Sequence, residues 1–287
     1  VSAPLIPGPD PDTLPPTRPL PSGACNAHCH VFGPGHRFPY VDESTFATPH
    51  APVAALTRMN RVLGIERVVL VQASCHGYNN SAMLNPIAAD PQRRRGVAMV
   101  ETDVSDAALD ALHEGGFRAI RLNFGRHLAQ RPTLPDADRI IGRVAERGWH
   151  VELHMDAPDV PELELWIATL RGRFVIDHMG RVPAAEGLRQ PPFQAVLRLL
   201  ERPNAWAKIS GGDRLSAGAP FRDAVPFAQA MLRQAPDRLV WGTDWPHSNI
   251  RTAMPNDGAL ADLLSEYAEE PAVGRVLVDN PITLYWR

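Results

Sequence analysis

The feature that most restricts how this chain can fold is an alternation of two kinds of segment. Short apolar stretches with strand character are followed by stretches whose apolar residues recur every three or four positions. Along the 287 residues, strands are predicted at 26–32, 67–73, 96–100, 117–122, 149–155, 174–178, 205–209 and 239–244. Helical spacing covers 52–63, 106–114, 136–147, 161–170, 192–200, 220–234, 258–267 and 272–278. Such alternation implies parallel strands joined by right-handed crossovers, and eight of them close most naturally into a (β/α)8 barrel. The competing open sheet would carry a Gly-x-Gly-x-x-Gly phosphate loop after an early strand, and that pattern is absent. One barrel is therefore expected over residues 23–287. Residues 1–22 form a proline-rich extension that either wraps the barrel or a neighbouring subunit, or stands as a flexible leader.

Composition narrows the function. Hydrophobic residues at 44% with 21% charged residues suit a globular chain with a sizeable core. A net charge of -3 without a basic patch argues against nucleic-acid binding. The run Arg93-Arg94-Arg95 reads as a solvated turn. Cys25, Cys29 and Cys75 make neither a disulfide framework nor a paired zinc-finger spacing. No apolar run reaches membrane-spanning length and no signal pattern opens the chain, so no membrane partner is expected and a reducing cytoplasm is the expected location. A monomer or homodimer is expected.

In a barrel of this kind the chemistry sits where the strands end. His28 and His30, two positions apart on the first strand, share a face, and Cys29 points away. Later strand ends supply Ser74, Arg121, His154, His178 and Asp244, and the following loops supply Arg181 and Arg214. Histidines can hold a metal or polarise an oxygen, an aspartate beside cations stays ionised and can take a proton, and arginines grip planar anions. A packing core alone does not select so many polar groups at one mouth.

The blocks NAHCHVFGP (26–34), VQASCHG (71–77), ALHEGGFRAIRLNF (111–124), VIDHMGR (175–181), DRL (213–215), LVWGTDWPH (239–247) and NPITLYW (280–286) occur in one order along the chain. In that order they resemble the amidohydrolase superfamily, in the branch of lactonases that open 2-pyrone-4,6-dicarboxylate and 4-sulfomuconolactone. The resemblance implies a hydrolase that opens a small anionic lactone. It would place His28, His30 and His178 around the lactone carbonyl oxygen, with Asp244 accepting the proton of the attacking water. Ser74, Arg121, Arg181 and Arg214 match residues that hold anionic groups, and His127 and His247 are added as candidates for substrate contact. The chain departs from the metal-independent pyrone lactonases in having His154 where they have tyrosine, Gly125-Arg126-His127 where they have a second arginine, and Phe46 in place of a loop tyrosine. His28, His30, His154 and Asp244 match a mononuclear metal pattern found elsewhere in the superfamily, for which zinc is suitable. The single lysine, Lys208, lies on the seventh strand, so a carbamylated strand-four lysine bridging two metals is excluded. The same barrel also serves non-oxidative decarboxylases and sugar-acid lactone isomerases, and a purely anion-binding barrel would need the arginines but no general base.

Overall fold

The computed structural model describes residues 6–41, 49–125, 128, 131–248, 250 and 253–287. Eight parallel strands pair in chain order: β1 (Cys25–Cys29), β2 (Arg67–Val71), β3 (Arg94–Ala98), β4 (Phe117–Asn123), β5 (His150–His154), β6 (Phe174–Ile176), β7 (Ala205–Lys208) and β8 (Leu239–Val240). The sheet closes through backbone bonds beyond the short β8. Ala27 N donates to Trp241 O at 2.9 Å, Asp244 N to His28 O at 2.9 Å and His30 N to Trp245 O at 2.7 Å. These bonds bring Asp244 beside the histidine pair. The expected (β/α)8 barrel is the fold.

Between and after the strands run α1 (Val53–Leu63), α2 (Ser81–Ala89), α3 (Asp106–Glu114), α4 (Leu134–Ala145), α5 (Asp159–Ile167), α6 (Pro191–Leu200), α7 (Gly212–Leu215), α8 (Val225–Gln234), α9 (Asp257–Asp262) and α10 (Leu264–Tyr267). Local chemistry sets their ends. The Ser105 hydroxyl accepts from Ala108 N at the start of α3, and Thr133 does the same for Asp136 N at α4. Gly64 ends α1 in the left-handed conformation, at φ 78°. Helix α2 lacked a clear signal in the sequence because Pro86 lies inside it and breaks the pattern that marks a helix.

The two faces of the sheet pack differently. Outside, the helices cover the large apolar core. Inside, Cys25, Ala27, Val69, Val71, Val97, Ala119, Val175, Trp206 and Val240 fill the barrel together with Leu284 and Tyr285. The closing segment Ile282–Trp286 lies across the starts of the strands, where Arg95 Nε donates to Tyr285 O and Arg173 Nη1 to Thr283 O. β1 carries one extra residue against β2: Asn26 pairs with Val68 and Cys29 with Leu70. This bulge keeps both strand-one histidines at the mouth although strict alternation is broken.

One expectation changes. Arg94 and Arg95 are not a solvated turn: they open β3, where Arg94 Nη1 donates to Pro86 O and the Arg95 guanidinium lies 5.0 Å from the Trp286 ring centroid. Their aliphatic stems can cover the barrel floor while the charged ends find acceptors. The described part of the extension, from residue 6, lies on its own barrel. Ile6 is buried, Leu14 N donates to Asn256 Oδ1, and Thr17 donates to Asp262 Oδ1 from both its backbone and its hydroxyl. Among the described residues, no helix is long and apolar enough to cross a membrane.

Closure of the sheet demands a glycine at 242, because a Cβ there would lie 2.3 Å from His28 N. Gly242→Ala is expected to lower unfolding stability by about 3 kcal/mol in a denaturant titration. Gly142→Ala, in the exposed middle of α4 where a Cβ meets nothing within 4 Å, should raise it by about 1 kcal/mol. A neutral result at 242 would refute the tight closure.

Candidate active site

Strand register delivers the polar groups. Arg121 pairs with Glu152 and Asn123 with His154 across β4 and β5, and paired residues of parallel strands face the same side. After β6 a run of left-handed residues, His178 (φ 47°), Met179 (φ 53°), Gly180 (φ 72°) and Arg181 (φ 52°), makes a tight turn at the mouth. Gly211 allows this turn to lie close, since a Cβ there would stand 2.9 Å from His178 Cβ. Asp244 is itself left-handed, at φ 63°, a costly conformation for a non-glycine residue and one concentrated at functional positions.

Asp244 is the centre of the arrangement. Its Oδ1 lies 3.3 Å from His30 Nε2, 3.7 Å from His28 Nε2 and 3.8 Å from His178 Nε2. Its Oδ2 accepts from Arg214 through Nη2 at 2.6 Å and Nε at 2.9 Å. Burial by itself would raise the carboxyl, but Arg214 and the imidazoles outweigh it and hold Asp244 well below the usual carboxylate range. Burial dominates for the rings. It lowers His28 and His154, helped by Lys208 at the first and Arg121 at the second, and brings His178 down to about 4.

Hydrogen bonds assign ring roles. His30 Nδ1 lies 2.8 Å from the Val71 carbonyl oxygen, which only accepts, so Nδ1 carries a proton. Arg121 Nη2 donates to His154 Nδ1 at 2.8 Å, and Arg121 Nε donates to Asp177 Oδ2 at 3.2 Å. His178 Nδ1 lies 2.9 Å from the Ser210 hydroxyl. Around the mouth, Arg181 pairs with Asp156 at 3.1 Å and Ser74 opens a half-buried turn after β2. His76 packs against Tyr40, with ring centroids 4.8 Å apart. His127 and Phe46 lie outside the described residues.

The structure revises two residue assignments. His247, expected to touch substrate, is completely buried, with its ring between Asp257 at 3.2 Å and Asp213 at 3.6 Å. It braces α7 and α9 behind Arg214. His154, expected with the metal set, stands apart from it, its Nδ1 committed to Arg121. Three inward residues went unrecognised: Asp177, Glu152 and Lys208, all buried. The period-two spacing of His150, Glu152 and His154 puts Glu152 on the same face of β5 as His154. Lys208 was the lone lysine of an otherwise apolar strand, which is a signal in itself.

Among the described residues, two groups could hold a metal ion: His28, His30 and Asp244, and His28, Asp177 and His178, each with ligand atoms within 4.8 Å of one another. His30 and Asp244 suit zinc by donor type. His28 does not fit as hydrogen-bonded here. Its Nδ1 lies 2.8 Å from the Lys208 ammonium, which only donates, so the ring proton sits on Nε2, the atom that faces Asp244, and the nitrogen that faces Asp177 is already taken. Both groups include His28, and neither forms a prepared metal site.

A barrel whose mouth combines imidazoles, an ionised aspartate and arginines is the architecture of a hydrolytic enzyme. The chain belongs to the amidohydrolase family, whose profile matches residues 25–287. It is 41% identical over 278 residues to a 2-pyrone-4,6-dicarboxylate hydrolase of Comamonas testosteroni, covering 93% of this chain and 91% of that one. It is 36% identical to a 4-sulfomuconolactone hydrolase of Rhizobium radiobacter over 97% of this chain and 95% of that one. Among solved structures, the "probable 2-pyrone-4,6-dicarboxylic acid hydrolase" of Acinetobacter baumannii, with citric acid bound, superposes with a TM-score of 0.82 at 28% identity, over 92% of this chain and all of that one.

The bracing histidine yields a pH prediction. Burial lowers His247, but Asp257 and Asp213 outweigh it and raise it to about 10. Its charge therefore stabilises the fold fully below the unfolded value of about 6.5, and that contribution declines as pH rises toward about 10. His247→Gln should lower the melting temperature at pH 7, and the difference from the parent should shrink by pH 10. A constant difference would contradict the charged brace.

Proposed function

We propose that the protein opens a small lactone bearing carboxylate or sulfonate groups, adding water across the ring ester. The single observation that carries this reading is the Asp244 carboxylate, ringed at Oδ1 by three imidazoles and clamped at Oδ2 by an arginine. Binding alone would need the guanidinium groups and not this base. The relatives that open 2-pyrone-4,6-dicarboxylate and 4-sulfomuconolactone support the same class of substrate.

In this reading the lactone carbonyl oxygen lies against His28, His30 and His178, and a water lies beside Asp244 Oδ1. Asp244 takes the water proton as oxygen attacks carbon. The ring N–H groups that face the mouth, that of His28 Nε2 among them, offset the charge that develops on the tetrahedral oxyanion. Collapse breaks the ring C–O bond, and the leaving oxygen recovers the proton from Asp244. Arg121, Arg181 and Ser74 hold the acidic groups of the substrate. Arg214 has two tasks, because its bond to Asp244 also suppresses that carboxylate as a base. An anionic substrate that draws Arg214 toward itself restores basicity at the moment of binding. The three free, buried cysteines suit a reducing compartment such as the cytoplasm.

Zinc, the expected ion, would be held at His30 and Asp244 and would compete with Lys208 for His28. The reaction needs only the protein's own groups, so turnover should withstand chelation and should not rise when zinc is added. Loss of activity on chelation, recovered with zinc, would overturn that point.

The assay follows ring opening of 2-pyrone-4,6-dicarboxylate and of carboxylated and sulfonated muconolactones by absorbance and acid release. One acid equivalent per ring opened is expected. Evolved carbon dioxide would indicate a decarboxylase, and ring migration without water uptake an isomerase; either would refute the proposal. Asp244→Asn should reduce kcat by about 10³-fold while ligand binding persists, and Arg181→Gln should act mainly on KM.

A further inference from the structure

Below the mouth, inside the barrel, sits a buried polar cluster that the lactone chemistry does not itself use. Lys208 Nζ donates to Glu152 Oε2 at 2.6 Å, lies 2.8 Å from His28 Nδ1, and stands 3.3 Å from Asp177 Oδ1. An ammonium has three N–H donors and no acceptor; two of these contacts are hydrogen bonds, to Glu152 and His28, and the third is an ion pair with Asp177. Glu152 is held in turn by the Tyr285 hydroxyl, which donates to its Oε1 at 2.7 Å. Asp177 is held by Arg121. All the members lie within the barrel, and Glu152, Lys208 and Tyr285 are fully buried.

The consequence falls on His28. Its Nδ1 faces a donor and must accept, so the neutral ring carries its proton on Nε2. That atom is buried, points to the mouth and has no hydrogen-bond partner. Asp244 Oδ1, 3.7 Å away, is too far to satisfy it. An unpartnered buried donor is costly unless something arrives to accept from it. The position of Lys208 in the composition agrees. Every other basic side chain of the Lys and Arg set is arginine, and a compact point charge appears only where three acceptors converge around one atom.

We propose that Lys208 is a positioning residue: anchored by Glu152 and Asp177 on the barrel floor, it holds His28 as an Nε2–H donor aimed at the carbonyl oxygen of the substrate. The inference rests on the lactonase reading for what His28 meets, but the state of the ring can be measured without any substrate. Lys208 is fully buried beneath the mouth. It acts through the ring by deciding which nitrogen carries the proton. An ammonium at this place also favours a neutral ring over an imidazolium.

Nitrogen-15 NMR of the substrate-free enzyme reads the two ring nitrogens of His28, with a His28→Gln spectrum to assign them. The expected result is a protonated Nε2 and a bare Nδ1. A proton on Nδ1, or on both nitrogens, would overturn the proposal whatever the enzyme turns over. Lys208→Met alone strands two buried carboxylates and endangers folding, so the kinetic test uses Lys208→Met with Glu152→Gln. Once circular dichroism shows this variant folded, kcat on the lactone should drop about 10²-fold, the loss typical of one oxyanion donor, with KM nearly unchanged. A folded variant that retains kcat would also overturn the proposal. If the variant does not fold, the spectrum of the unaltered enzyme decides.

Discussion

Hydrogen bonds between the last strand segment and the first hold the two edges of the sheet together, and the site exists only because they form. Asp244 N donates to His28 O, so the acid of one chain end is fastened to the histidine strand of the other. The Asp244 and histidine side chains then meet at the mouth within near-contact distance. Gly242 lets the backbones approach, and the β1 bulge aims His28 and His30 at the same point. A site built on strand ends in this way inherits the stiffness of the barrel, which is what preorganised electrostatic catalysis requires.

Closing the barrel also buries charge, and the structure compensates it in two places. Beneath the mouth, Lys208 lies among Glu152, Asp177 and His28. Behind it, His247 lies between Asp213 and Asp257, next to the Arg214–Asp244 pair. Burial opposes ionisation at Asp177, Asp213 and Asp244, and at these three neighbouring cations prevail. Such groups are expensive to bury and unforgiving if one partner is removed, so they act together as a rigid frame. The frame keeps Asp244 ionised and holds the His28 and His178 rings toward the neutral form, which is a division of labour suited to moving one proton.

Much of this was legible along the chain. Period and turn residues marked eight strands, and period two placed His28 with His30. The strand-end rule then collected the candidates, and the coordinates gather His28, His30, His178, Asp244 and Arg214 at one mouth. What went astray was neighbour-dependent. His247 has the same sequence character as a mouth histidine, yet the left-handed turn after Asp244 carries it behind the site. His154 ends its strand at the right height, but Arg121 reaches its ring first. Arg94 and Arg95 looked solvated because one-dimensional polarity does not reveal that Trp286 and backbone carbonyls wait for them at the barrel floor.

The amino-acid order by itself determined the architecture, the family and the reservoir of acids, rings and guanidinium groups from which a site could be made. These follow from periodicities and motifs, which are local properties of the chain. Only the folded barrel decided which of those groups touch, and therefore their protonation. The ring state of His28 depends on a lysine 180 positions away in sequence. Proton placement is set by distances of about 3 Å in a dry interior, and such distances exist only once strands far apart in sequence have been brought side by side.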